Sequence, residues 1–244
     1  MKRINSLLMT AALLFAASFA AVAAPAGEKK SAQGARGAES VRVPLDLAVL
    51  IQDDLVARVG NELKVTSEFI RSLPGGSRVM VGYIRGGSLQ VRQPFTEDLA
   101  AAAGSLRMPV ASTSVSPYNP YVDVVSALKK FPADGRNRNA LLLVSDGLDT
   151  SRGFDAASAL TSIDLERAVR EAKERNVQVY SFYAPSVGLT SYSRQAVSLG
   201  QGALNRLSEK TGGRAFFQGT SFVTFNAYFE RLREALNERG GVAY

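Results

Sequence analysis

The sequence predicts an α/β fold: a mostly parallel central sheet with one antiparallel edge strand and helices on both faces. Three observations predict it. Short apolar runs alternate with amphipathic segments from Val43 onward, the pattern of strands joined by helical crossovers. Leu141-Leu142-Leu143-Val144 holds no polar residue, as expected of a strand covered on both faces. Gly86-Gly87 separates two strand-like runs, and such a dipeptide supplies the positive φ of a tight hairpin turn.

Each element has its own local reason. Leu45–Ile51 is nearly continuous in apolar residues and reads as the first strand. Asn61–Leu73 has helical spacing, with Leu63, Phe69, Ile70 and Leu73 inward, and Pro74-Gly75-Gly76 stops it. Arg78–Ile84 and Ser88–Phe95 form the hairpin. Leu89, Val91 and Phe95 alternate with polar residues and Pro94 removes a ladder donor, so the second arm is an edge.

Thr96 is placed to cap a short helix ending at Ala103, and Tyr121–Phe131 follows as another. Ile163–Asn176 carries the stripe Leu165, Ala168, Val169 and Ala172. Its outer face offers Glu166/Arg170, Arg167/Glu171 and Glu171/Arg175 at four-residue spacing. Val177–Ala184 is the next strand. Ala203–Thr211 is a helix closed by Gly212-Gly213, and Arg214–Phe217 a short last strand. Phe222, Phe225, Phe229, Leu232 and Leu236 form the stripe of a C-terminal helix.

The 244 residues carry no His, no Cys and no Trp. Ser-His-Asp and Cys-His catalysis, zinc sites built on His or Cys, disulfides and redox dithiols are all excluded. Carboxylate, hydroxyl, amide and lysine chemistry remains, as does binding without chemistry.

Lys2 and Arg3 precede an apolar run from Leu7 to Ala20, and Ala21-Val22-Ala23 follows as an A-x-A site. Basic head, apolar middle and small-residue exit make residues 1–23 a secretory signal peptide. The alternative is a retained anchor, for which the run falls short of the roughly 20 apolar residues of a span. The expected location is therefore periplasmic or extracellular, with no membrane span after cleavage. Residues 24–42 are Ala/Gly/Ser/Lys-rich and read as a flexible leader, leaving 43–240 as the domain. Without residues 1–23 the formal charge falls from +7 to +5, with bases interleaved among acids. That is a solvated surface, and no nucleic-acid partner is expected.

In open α/β sheets the binding site lies past the carboxyl ends of the strands. Those ends carry Gln52-Asp53-Asp54, Ser145-Asp146-Gly147-Leu148-Asp149-Thr150 and Tyr183-Ala184-Pro185, beside the loops 109–120 and 186–200. Gly200-Gln201-Gly202-Ala203-Leu204-Asn205 begins like a dinucleotide-binding loop, but Asn205 stands at the third Gly and no strand immediately precedes it. It reads as a Gly-rich helix entry. Ser145 is no nucleophile elbow, because G-x-S-x-G is absent.

A strand ending Leu143-Val144-Ser145-Asp146-Gly147, after Leu45-Asp46-Leu47-Ala48-Val49-Leu50-Ile51, resembles the von Willebrand factor A (vWA) domain. The stretches 177–183 and 207–217 resemble its secreted bacterial branch. The resemblance spans 43–239 and implies a three-layer, Rossmann-like vWA fold. It also implies a metal-ion-dependent adhesion site, and here that site is degenerate. Asp146 matches the last ligand. Gln52 stands at the first Asp, Asp54 at the first Ser and Val56 at the second Ser, while Ser116, Tyr118 or Asn119 stands near the Thr. Val56 offers no oxygen to a cation. Asp146 is then expected to cap the following turn, with Gly147 at the bend.

The leading expectation is an exported, non-enzymatic interaction module without a cofactor. It binds a protein partner through Asp53, Asp54, Tyr118, Asn119, Asp146, Arg152 and Tyr192. Tyr and Arg suit this because they supply large, semi-rigid contact area with polar ends. Tyr121, Tyr183, Phe154 and Arg194 flank the same loops. The alternative keeps Mg²⁺ or Ca²⁺ on Asp54 and Asp146. A remote one is a hydrolase using Asp53, Asp54 or Asp146 as base.

Overall fold

A computed structural model describes residues 40–154, 162–217 and 224–238. The signal and most of the leader lie outside them. So does Phe222.

Six strands form one sheet in the order β3-β2-β1-β4-β5-β6. They are β1 (Leu45–Gln52), β2 (Arg78–Arg85), β3 (Ser88–Thr96), β4 (Arg138–Ser145), β5 (Val177–Tyr183) and β6 (Ala215–Phe216). All neighbours pair in parallel except β2 and β3, which are antiparallel. Gly86 and Gly87, at φ 56° and 75°, make the turn between them. The register shifts between Val79 and Val81, opposite Pro94, where the ladder donor is missing.

Among the described residues six helices cover the faces: α1 (Leu63–Arg71), α2 (Leu99–Gly104), α3 (Pro120–Leu128), α4 (Ile163–Glu174), α5 (Arg194–Lys210) and α6 (Asn226–Glu238). Alternation along β1 sorts them. Leu47, Val49 and Ile51 pack in one core with residues of α1, α2 and α6. Ala48 and Leu50 pack in the other with α3, α4 and α5. In the first core the Phe182 ring meets Phe216, Phe225, Tyr228 and Phe229 at centroid distances of 4.9–5.6 Å. The α4 stripe is the expected one, with Leu165, Ala168, Val169 and Ala172 all buried.

Four expectations are corrected. Asp98 caps α2, accepting from Ala101 N, and Thr96 instead accepts from Asp98 N. A 3₁₀ turn over Ala57–Glu62 precedes α1, so Asn61 lies in that turn. Only Glu171–Arg175 pairs along α4, while Glu166 turns to Arg206 and Lys210 on α5. The largest change is at α5. It begins nine residues before the expected Ala203, where Ser193 accepts from Ala196 N as cap. Gly200 and Gly202 thus lie inside the helix, and the loop after β5 ends at Ser193. Gly200 has a packing reason: a Cβ there would stand 2.0 Å from the Asp146 carbonyl oxygen.

After β1 the chain goes to β2 on one side and later returns to β4 on the other. The switch lies between β1 and β4, and the loops leaving their carboxyl ends flank the resulting crevice.

Candidate functional site

Gln52, the last residue of β1, organises the crevice. Its Oε1 accepts from Asp146 N (3.3 Å) and from the Ser145 hydroxyl. A backbone N–H can only donate, so this fixes the amide orientation. Nε2 therefore faces the acids, donating to Asp54 Oδ1 at 2.8 Å and Asp146 Oδ1 at 3.2 Å.

Asp146 is further satisfied within the fold. Oδ1 accepts from Leu148 N (3.1 Å) and Oδ2 from the Thr190 hydroxyl (3.1 Å), while Gly147, at φ 71°, makes the bend as expected. The Ser186 and Thr190 hydroxyls are 3.0 Å apart, and Ser186 N donates to Thr190. Burial pushes the Asp54 carboxyl up to about 6, with the Asp146 charge adding to the effect. Asp146 is raised as well, above all by burial. Two carboxylates thus share one neutral donor.

The remaining predicted residues divide. Asp53 points elsewhere: fully buried, it takes a two-pronged contact from Arg107 (2.6 and 2.9 Å), which stacks 4.0 Å above the Tyr83 ring. Asn119 caps α3 through Tyr121 N and donates to Asp164 Oδ2, tying α3 to α4. Both are spent on the scaffold. Tyr118 and Tyr192 stand 61% and 76% exposed, and Arg152 is exposed too. Tyr118 holds φ 56°, unusual for an aromatic residue, and its carbonyl accepts from Thr150 N at 2.6 Å. Tyr121 and Tyr183 turn inward, the Tyr121 hydroxyl donating to the Gly147 carbonyl. Sequence reasoning missed Ser145, Ser186 and Thr190. The Ser145 hydroxyl meets Gln52 because β4 pairs with β1, whereas Ser186 and Thr190 approach Asp146 because the loop after β5 folds back, with Val56 N on Pro185 O and Val187 N on Asp54 O. No spacing signal announces that.

A cavity of about 200 Å³ opens over the two acids, with Thr113, Tyr118 and Leu189 toward its mouth. The residues present do not fit an octahedral Mg²⁺ site. An amide N–H points at both carboxylates where a cation would lie between them, and Val56 packs against the core. Among the described residues no three acidic side chains gather in a cluster able to hold a metal.

No protein-family model matches the sequence, and neither does any curated protein. Solved structures do match. The conserved hypothetical protein BatB of Bacteroides thetaiotaomicron aligns at 12% identity and a TM-score of 0.54, over 82% of this chain and 100% of that one. An aerotolerance-related membrane protein of Bacteroides fragilis aligns at 13% and 0.51, over 81% and 100%. These two structures share the fold of this chain. The VWA domain of SpRpn10 also aligns, at 14% identity over 83% of this chain and 100% of that one, with a TM-score of 0.46. At such identities the likeness concerns the fold.

Proposed function

We propose that this vWA-like chain is an exported, non-enzymatic interaction module. The carboxyl-end face of its sheet takes a protein partner without a bridging metal. One observation carries the reading: the Gln52 amide donates into the space between Asp54 and Asp146, so the acids are held together by a neutral group. Exposed Tyr118, Arg152 and Tyr192 surround that point, and large polar-tipped side chains of this kind anchor protein contacts. Absence of His and Cys throughout the sequence supports a non-enzymatic role. Export rests on Lys2, Arg3, the apolar run Leu7–Ala20 and Ala21-Val22-Ala23.

The test is capture of partners from the source organism's cell-envelope extract on immobilised protein, with and without EDTA. A protein retained in EDTA and lost from the Tyr118→Ala/Tyr192→Ala double variant is the expected result. Release by EDTA, or capture that the double variant leaves unchanged, would refute the proposal.

A further inference from the structure

The crevice has a charge imbalance. Asp54 and Asp146 lie 2% and 4% exposed at the floor of the cavity, and no Lys or Arg is among its described lining residues. The nearby guanidinium of Arg107 is occupied by Asp53. Gln52 contributes hydrogens but no charge. Buried carboxylates gain most from an arriving opposite charge, and a carboxylate brought by a partner would meet two like charges with no cation between.

Shape agrees with charge. The walls include Pro117, Leu148 and Leu189, apolar surfaces along which a methylene stem can lie while its head reaches the acids. The exposed Tyr118 ring stands at the mouth, where a cation can pass over an aromatic face. A volume of about 200 Å³ is room for one long side chain, about seven water-sized groups at roughly 30 Å³ each.

We propose that this cavity receives a protonated Lys or Arg side chain of the protein partner. The inference rests on the protein-binding reading above and adds the partner's polarity, the reverse of a metal-bridged contact with an acid.

The ¹⁵N-labelled full chain, titrated with capped single amino acids, tests it. Nα-acetyl-arginine N-methylamide or its lysine counterpart saturably shifts the amides of Asp54, Ser116, Leu148 and Thr190. The glutamate counterpart, with or without Mg²⁺, leaves them in place. Asp54→Asn weakens the cationic probes at least tenfold. Thr113→Lys does the same from an exposed position at the mouth that leaves the fold intact. Shifts from glutamate with Mg²⁺ would overturn the inference. So would silence from both cationic probes, saturation by free putrescine alone, or affinity unchanged in both variants. Partner capture that is lost in the double tyrosine variant while both cationic probes stay silent overturns the polarity and leaves the interaction module standing.

Discussion

At the scale of single residues, Gln52 does work that a spacing pattern does not reveal. Among the described residues its amide is the only side-chain nitrogen reaching both Asp54 and Asp146. Replacing it by Leu leaves two buried carboxylates facing each other without their shared donor, which costs about 3 kcal/mol. The pH dependence of that cost has a definite sign. The folded pKa of Asp54 is about 6, above its ordinary value of 3.8, so ionisation opposes folding and the penalty vanishes as the group is protonated. Urea unfolding of Gln52→Leu should therefore show a large loss at pH 8 and a smaller one at pH 5. Asp123, near the start of α3, repeats the logic without a partner. It is buried, its Oδ2 makes no hydrogen bond, and burial raises its pKa to about 6. Asp123→Asn should add about 2 kcal/mol at pH 8, a shift of about 2 units less the loss of a favourable charge near a helix start, and almost nothing once the pH falls below 3.8, the ordinary value of the carboxyl. Tyr118 stores strain instead. Tyr118→Gly relieves a left-handed backbone worth about 1–2 kcal/mol against an entropic cost of about 0.5–1 kcal/mol. Melting should show stability held or slightly raised while partner capture falls, separating a strained contact residue from a structural one.

Among the elements, β1, β4 and α4 were legible because each carries an unbroken signal: a run of apolar residues or a stripe at helical spacing. Helix α5 was not. Gly200 and Gly202 look like breakers in sequence, and only the tertiary contact explains one of them. The Asp146 carbonyl sits so close to Gly200 that a Cβ would lie 2.0 Å away, whereas Gly202 has open space around it. The two positions make a matched prediction. Gly200→Ala should cost about 3 kcal/mol and disturb the loop that presents Asp146, because backbone must move to make room. Gly202→Ala should add about 1 kcal/mol by helix propensity alone. Thermal unfolding of the pair checks both, and similar behaviour in the two variants would refute the packing argument. The outer face of α4 misled for a related reason. Four-residue spacing offers Glu166 a partner on its own helix, but Arg206 at 2.7 Å on the neighbouring helix takes it.

For the whole molecule, the three-layer sandwich and its antiparallel edge could be read from alternating runs, the double glycine and Pro94, since each constrains the backbone locally. The crevice could be read only in part. Gln52, Asp54, Asp146, Tyr118 and Tyr192 fall at strand ends and loop tips that the topology brings together. Asp53 and Asn119 sit beside them in sequence yet serve Arg107 and α3, because neighbours at a strand end point in different directions. Thr190 and Ser186 reach Asp146 through long-range folding that no local pattern encodes. We propose that an amide, not a cation, joins the two acids at the switch between β1 and β4. The side-chain ¹⁵N–¹H resonances of Gln52, followed while Mg²⁺ or Ca²⁺ is raised to millimolar concentration, test it most directly. The account predicts two resolved amide protons that stay in place together with the backbone amides of Asp54 and Leu148. A saturable shift of the Gln52 amide with either metal would contradict it.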